Sequence, residues 1–186
     1  MNPTRRHPLL SLGLLGLLAL HTAASAHVTL EQPQAPAGST VKAALRVGHG
    51  CGQGEATHTL SVQIPPGFRG AKPMPKAGWA ITIRRAPLAQ PYDDHGRRVT
   101  DEVAEITWAA RTRDDWLAES QYDEFIVRGQ TPAQPGPLWF KVAQICEHGR
   151  WDWAEVPASG TSTQGLKAPA ALLDVTPAAA AAAHQH

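Results

Sequence analysis

The chain has 186 residues, 42% hydrophobic and 18% charged, which suits one ordinary domain with a buried core and excludes wholesale disorder. Seventeen Lys and Arg stand against 16 Asp and Glu, so the basic excess of a nucleic-acid-binding surface is missing, as are a P-loop, a GxGxxG turn and zinc-finger spacing. Sixteen Gly and 16 Pro punctuate the chain too often for long helices.

Residues 1–26 read as a secretory signal peptide. Arg5 and Arg6 make a positive n-region, Leu9 to Leu20 is an apolar stretch short for a membrane span, and Ala24-Ser25-Ala26 is an A-x-A cleavage site. Cleavage after Ala26 makes His27 the first mature residue. Losing Arg5 and Arg6 leaves 15 basic against 16 acidic side chains. No later apolar run is long enough to cross a bilayer, so the mature chain is expected in the periplasm or outside the cell, without a membrane span.

From residue 27 the pattern is strands and turns. Val41, Ala43, Leu45 and Val47 alternate with Lys42 and Arg46 over Thr40 to Val47, and Leu60, Val62 and Ile64 repeat this over Thr57 to Ile64. Pro65-Pro66-Gly67 closes that strand, and Lys72-Pro73-Met74-Pro75 opens a Pro-rich connection. Trp79, Ile81 and Ile83 alternate next, then Ala104, Ile106 and Trp108, and Asp114 to Ser120 suits a turn or two of helix. Phe125 and Val127 follow, then a turn cluster over Pro132 to Pro137, then Leu138, Phe140 and Val142, then Trp151 and Trp153. Period-two alternation broken by turns every ten to fifteen residues is the signature of an antiparallel β-sandwich or barrel. The pattern predicts one β domain over residues 27–157. The Ala-, Pro- and Ser-rich stretch 158–186, with six alanines from Ala178 to Ala183 and then His184-Gln185-His186, reads as a disordered tail.

Chemistry has few places to sit. Cys51 and Cys146, the two cysteines, are expected to form one disulfide in an oxidising compartment. Left reduced, they and the neighbouring His49 and His148 are a Cys2His2 set for zinc. A blue-copper site would call on a free Cys, two His and Met74. His27 offers a third possibility, because an N-terminal histidine presents its α-amine and its Nδ1 to one metal as a chelate. Nitrogen ligands suit Cu(II), and an amine that titrates near about 8 gives up its proton to a metal at neutral pH. No Ser/His/Asp or G-x-S-x-G arrangement is present. Glu124, in Tyr122-Asp123-Glu124-Phe125, falls on the opposite strand face from Phe125. Six tryptophans are more than so short a chain needs for a core, and one or two are expected to wall a site.

Several segments together resemble a known family. They are His27-Val28-Thr29-Leu30, Arg46-Val47-Gly48-His49-Gly50-Cys51, Val62-Gln63-Ile64-Pro65-Pro66-Gly67-Phe68, Lys72-Pro73-Met74-Pro75-Lys76-Ala77-Gly78-Trp79, Ile106-Thr107-Trp108, Tyr122-Asp123-Glu124-Phe125, Gln144-Ile145-Cys146-Glu147 and Trp153-Ala154-Glu155-Val156-Pro157. In order and number they resemble the YcnI-like copper-binding family, over about residues 27–157. The resemblance implies an all-β, cupredoxin-like or immunoglobulin-like antiparallel sandwich. It also implies Cu(II) held by a mono-histidine brace, with His27 giving amine and imidazole and a glutamate completing the site near a tryptophan. Glu124 is the expected glutamate, with Glu155 and Glu31 in reserve, and Trp153 then Trp79 the expected indole. The implied function is periplasmic copper handling as chaperone, carrier or store, with the copper ion and other copper-handling proteins as partners. Two alternatives stay open. One is a histidine-brace oxidase or monooxygenase, which needs a second imidazole from among His49, His58, His95 and His148. The other is a sandwich interaction module in which His27 is incidental.

Overall fold

The computed structural model describes residues 27–178; the expected signal peptide, most of the alanine run, His184 and His186 lie outside the described residues. Among the described residues the chain forms β1 (Thr29–Leu30), β2 (Gln34–Pro36), β3 (Thr40–Val47), β4 (Thr57–Gln63), β5 (Arg69–Pro73), β6 (Trp79–Asp94), β7 (Arg97–Ala110), β8 (Asp123–Gln130), β9 (Gly136–Cys146), β10 (Arg150–Trp153) and β11 (Ala171–Thr176). The helical turn expected near Asp114 is a single 3-10 turn, Arg113–Asp115.

Two sheets result. One has the order β1-β3-β8-β5; the other runs β2-β11-β9-β4-β7-β6, with β10 also paired to β9. The pairings are antiparallel except β2 with β11, which is parallel. The architecture is therefore the all-β sandwich that the alternation predicts. Leu45 pairs with Leu30 and Phe125 across the smaller sheet, and Val62 with Val142 and Ile106 across the larger. All but Leu30 and Val142 of these are fully buried, and those two nearly so. The sheets meet through aromatic edges: Trp108 on Phe125 at 5.6 Å and Phe68 on Phe140 at 5.2 Å. Each large side chain so buried contributes about 1.5–3 kcal/mol.

The β6–β7 hairpin turns at His95-Gly96, both with positive φ (47° and 77°), as a two-residue loop between strands of right-handed twist requires. β6 is an edge strand, and past Ile81 its side chains leave the core. Ile83, expected on the core face with Trp79 and Ile81, is 48% exposed. Cross-strand ion pairs Arg84–Glu105 and Arg85–Asp101 line this stretch and discourage pairing with another chain's edge.

The expected boundary at Pro157 is corrected by β11. Far from a disordered tail, residues 171–176 lie between β9 and β2, with Ala171 opposite Phe140 and Val175 opposite both Gly136 and Ala35. Ala171, Leu173 and Val175 are each 2% exposed. The reason is a gap that β10 leaves. β10 pairs with β9 only over Val142–Ile145, so the first half of that edge, Gly136–Phe140, takes its hydrogen bonds from β11. The segment between is tied down as well, because the Glu155 carboxylate accepts the backbone N–H groups of Lys167 at 2.8 Å and Ala168 at 3.2 Å.

Candidate metal centre

Trp153, the last residue of β10, pairs with Val142 of β9 and is 2% exposed. The His27 ring lies against it, centroids 5.5 Å apart and planes at 56°. His49 approaches the same indole edge-on at 6.0 Å, and Trp151, its neighbour two residues back on β10, stacks on it at 5.0 Å. Strand register explains the meeting. Thr29 pairs with Arg46, and the antiparallel ladder continued two residues outward sets His27 opposite Gly48, next to His49. The start of β1 and the end of β3 thus leave the sandwich at one end, where Trp153 is the one buried residue of β10.

Below these rings is Gln144, fully buried on the inner face of β9. Its side-chain amide donates to the His49 carbonyl at 2.7 Å and to Thr57 Oγ1 at 2.8 Å, and its oxygen accepts the Trp153 indole N–H at 3.0 Å. One buried side chain therefore fixes the loop that carries His49, the strand that carries Trp153 and the start of β4. Cys51 and Cys146 form the expected disulfide, Cα atoms 5.8 Å apart across 95 positions of sequence. The Trp151 indole N–H donates to the Cys51 carbonyl at 3.0 Å. Glu55 lies beside the two sulfurs, but sulfurs in a disulfide offer no thiolate. That removes the zinc and blue-copper readings; His148 and Met74 are exposed.

The expected glutamates are held elsewhere. Glu124 pairs with Arg46 in register, on the outer face of the smaller sheet, two strands or roughly 10 Å across from Thr29. The Tyr122 hydroxyl donates to its carboxylate, which pushes the phenol up to about 12. Glu31 forms an ion pair with Arg46 at 2.8 Å, and Glu155 caps the backbone at Lys167 and Ala168. The structure thus brings Trp153 to His27 but not Glu124. Trp79 is a core residue, packed edge-to-face on Phe125 at 5.0 Å. His58 packs on Trp116 instead. Sequence reasoning missed Gln144 and left His49 unassigned; the only signal for either was adjacency to the cysteine segments.

Chemically, the cluster offers imidazole nitrogens beside a buried indole, in a half-buried position that limits exchange with solvent. Nitrogen donors of this kind fit Cu(II) better than the harder cations, which take oxygen.

Residues 27–175 match the family model described as "Domain of unknown function (DUF1775)". The crystal structure of an uncharacterized protein from Nocardia farcinica, described as revealing an immunoglobulin-like fold, superposes with a TM-score of 0.61 at 24% identity, over 80% of this chain and 97% of that one. That likeness shows the fold. A putative membrane anchored protein from Corynebacterium diphtheriae aligns with a TM-score of 0.39 at 8% identity, over 83% of this chain and 35% of that one. No curated protein matches the chain.

Proposed function

The chain belongs to the DUF1775 family, which is the YcnI-like family its sequence resembles, and we propose that it is an exported Cu(II)-binding protein that carries, stores or delivers copper in the periplasm or outside the cell. The observation that carries this reading is the seating of the His27 ring on the buried Trp153. Before export the His27 nitrogen is part of a peptide bond with Ala26. Cleavage there turns it into an amine, and amine and Nδ1 then chelate one metal. The family match begins at residue 27, where that cleavage would fall. Copper is the cargo: Cu(II) tops the divalent affinity series for nitrogen sites. Binding displaces a proton from the amine, so affinity falls as pH drops. The indole shields one side of the site, and the disulfide suits the oxidising compartment. Glu124 stays outside the proposed site.

The test compares protein with His27 as its first residue against protein with one Gly added before it. Both chains end at Ala178, which removes His184 and His186 but keeps β11; a cut near Ala168, which composition alone suggests, would delete that strand. The native terminus should bind one Cu(II), and the Gly-extended one should lose the chelate. Equal affinity with an identical spectrum would refute the brace. The position of His49 on Trp153 favours a second reading, a histidine-brace oxidase or monooxygenase. Oxygen consumption with copper and reductant, above the free-copper background, would select it.

A further inference from the structure

We propose that His49 supplies a second imidazole, through Nε2, to the copper anchored at His27. The inference rests on the copper reading above and deepens it, replacing the glutamate of the expected mono-histidine brace with a nitrogen ligand.

Four observations converge on His49. Its ring packs edge-on at 6.0 Å on the same indole that the His27 ring meets at 5.5 Å. The β1–β3 register sends His27 and the Gly48-His49 stretch out of the same end of the sandwich. The His49 Nδ1–H donates to the Gly50 carbonyl at 2.5 Å, which puts the ring lone pair on Nε2; a backbone carbonyl on one ring nitrogen is the usual way a protein orients a histidine whose other nitrogen binds metal. Finally, the loop is pinned. Gln144 holds the His49 carbonyl, Cys51 is locked to Cys146, and a Cβ added at Gly50 would lie 1.7 Å from the Glu55 carbonyl oxygen, so the backbones are in close approach. A ligand on such a loop is preorganised, with little ordering left to do on binding. The three carboxylates expected for the role are each engaged away from His27, by Tyr122, Arg46 and the Lys167–Ala168 backbone.

The ligand set is then one amine and two imidazoles, three nitrogens rather than two nitrogens and a carboxylate. The test uses the chain from His27 to Ala178, with Cu(II) as the probe. Pulsed EPR on the unaltered protein should count two imidazoles through their remote nitrogens; one imidazole overturns the inference, and needs no variant that has to fold. His49→Phe keeps a ring against Trp153 but no ligand, and should weaken Cu(II) binding by at least about tenfold and drop the count to one. Affinity within twofold of the parent, with two imidazoles still counted, assigns the second ring to another histidine and overturns the inference. Failure of the brace reading itself is read separately, as unchanged binding by the Gly-extended terminus.

Discussion

Replacing Gln144 with Met would remove the amide that joins three elements while keeping nearly the same side-chain length, so little cavity opens and the polar loss dominates. Gln144 is fully buried and makes three hydrogen bonds, of 2.7, 2.8 and 3.0 Å. After the change Thr57 Oγ1 keeps its contact with Cys146 Sγ at 3.5 Å, but the His49 carbonyl and the Trp153 indole N–H both lose their Gln144 partner. Two such groups at about 1–3 kcal/mol each give a destabilisation of about 2–6 kcal/mol, a large share of the 5–15 kcal/mol typical of a whole domain. In urea, with a slope of about 2 kcal/mol/M, the midpoint should fall by about 1–3 M with the slope unchanged. Amide exchange should quicken in the 48–52 loop, since its tether to β9 is gone. A midpoint within about 0.3 M of the parent would refute the view that Gln144 is the buried tie beneath the histidines.

Reducing the disulfide, or replacing both cysteines with Ser, opens a loop spanning 95 positions and should lower stability by about 4–5 kcal/mol in the chain-entropy model; unfolding curves with and without reductant that differ by under about 1 kcal/mol would contradict it. A chain ending at Pro157 should melt well below one ending at Ala178, because it strips β11 and its three buried side chains from the β9 edge; equal melting temperatures would return residues 171–176 to the status of a tail. Both tyrosines, Tyr92 through burial and then its hydrogen bond to Glu102, Tyr122 through its hydrogen bond to Glu124, are pushed up to about 12. Their contribution to stability is therefore whole below the unfolded value of about 10 and is lost as pH rises toward 12. Phenolate absorbance should show a midpoint near 12 in the folded protein, and a midpoint near 10 before unfolding would sink the assignment.

What the sequence by itself determined is periodic and local. Alternation marks β3 to the residue, finds β4, β7, β8, β9 and β10, and tells that Leu45, Leu60, Ile106 and Phe125 share an interior. It also pointed to the Cys51–Cys146 disulfide, which is present, and gave the expectation of a histidine at a mature terminus. Short strands escaped it: β1 and β2 are two and three residues long, below any readable period, and β11 carries the alternating Ala171, Leu173 and Val175 inside a composition that reads as a tail. Alternation assigns a residue to a face, not to a neighbour. It put Glu124 on the face opposite Phe125, which is correct, yet that face is the outside of the smaller sheet. The candidate centre joins residues 27, 49, 144 and 153, and only cross-strand register decides which of them meet. The pairing of β1 with β3 brings His49 toward His27, and the pairing of β10 with β9 sets Trp153 over Gln144, because an antiparallel ladder fixes position to a single residue while a repeat of period two is unchanged by sliding the strand two residues along.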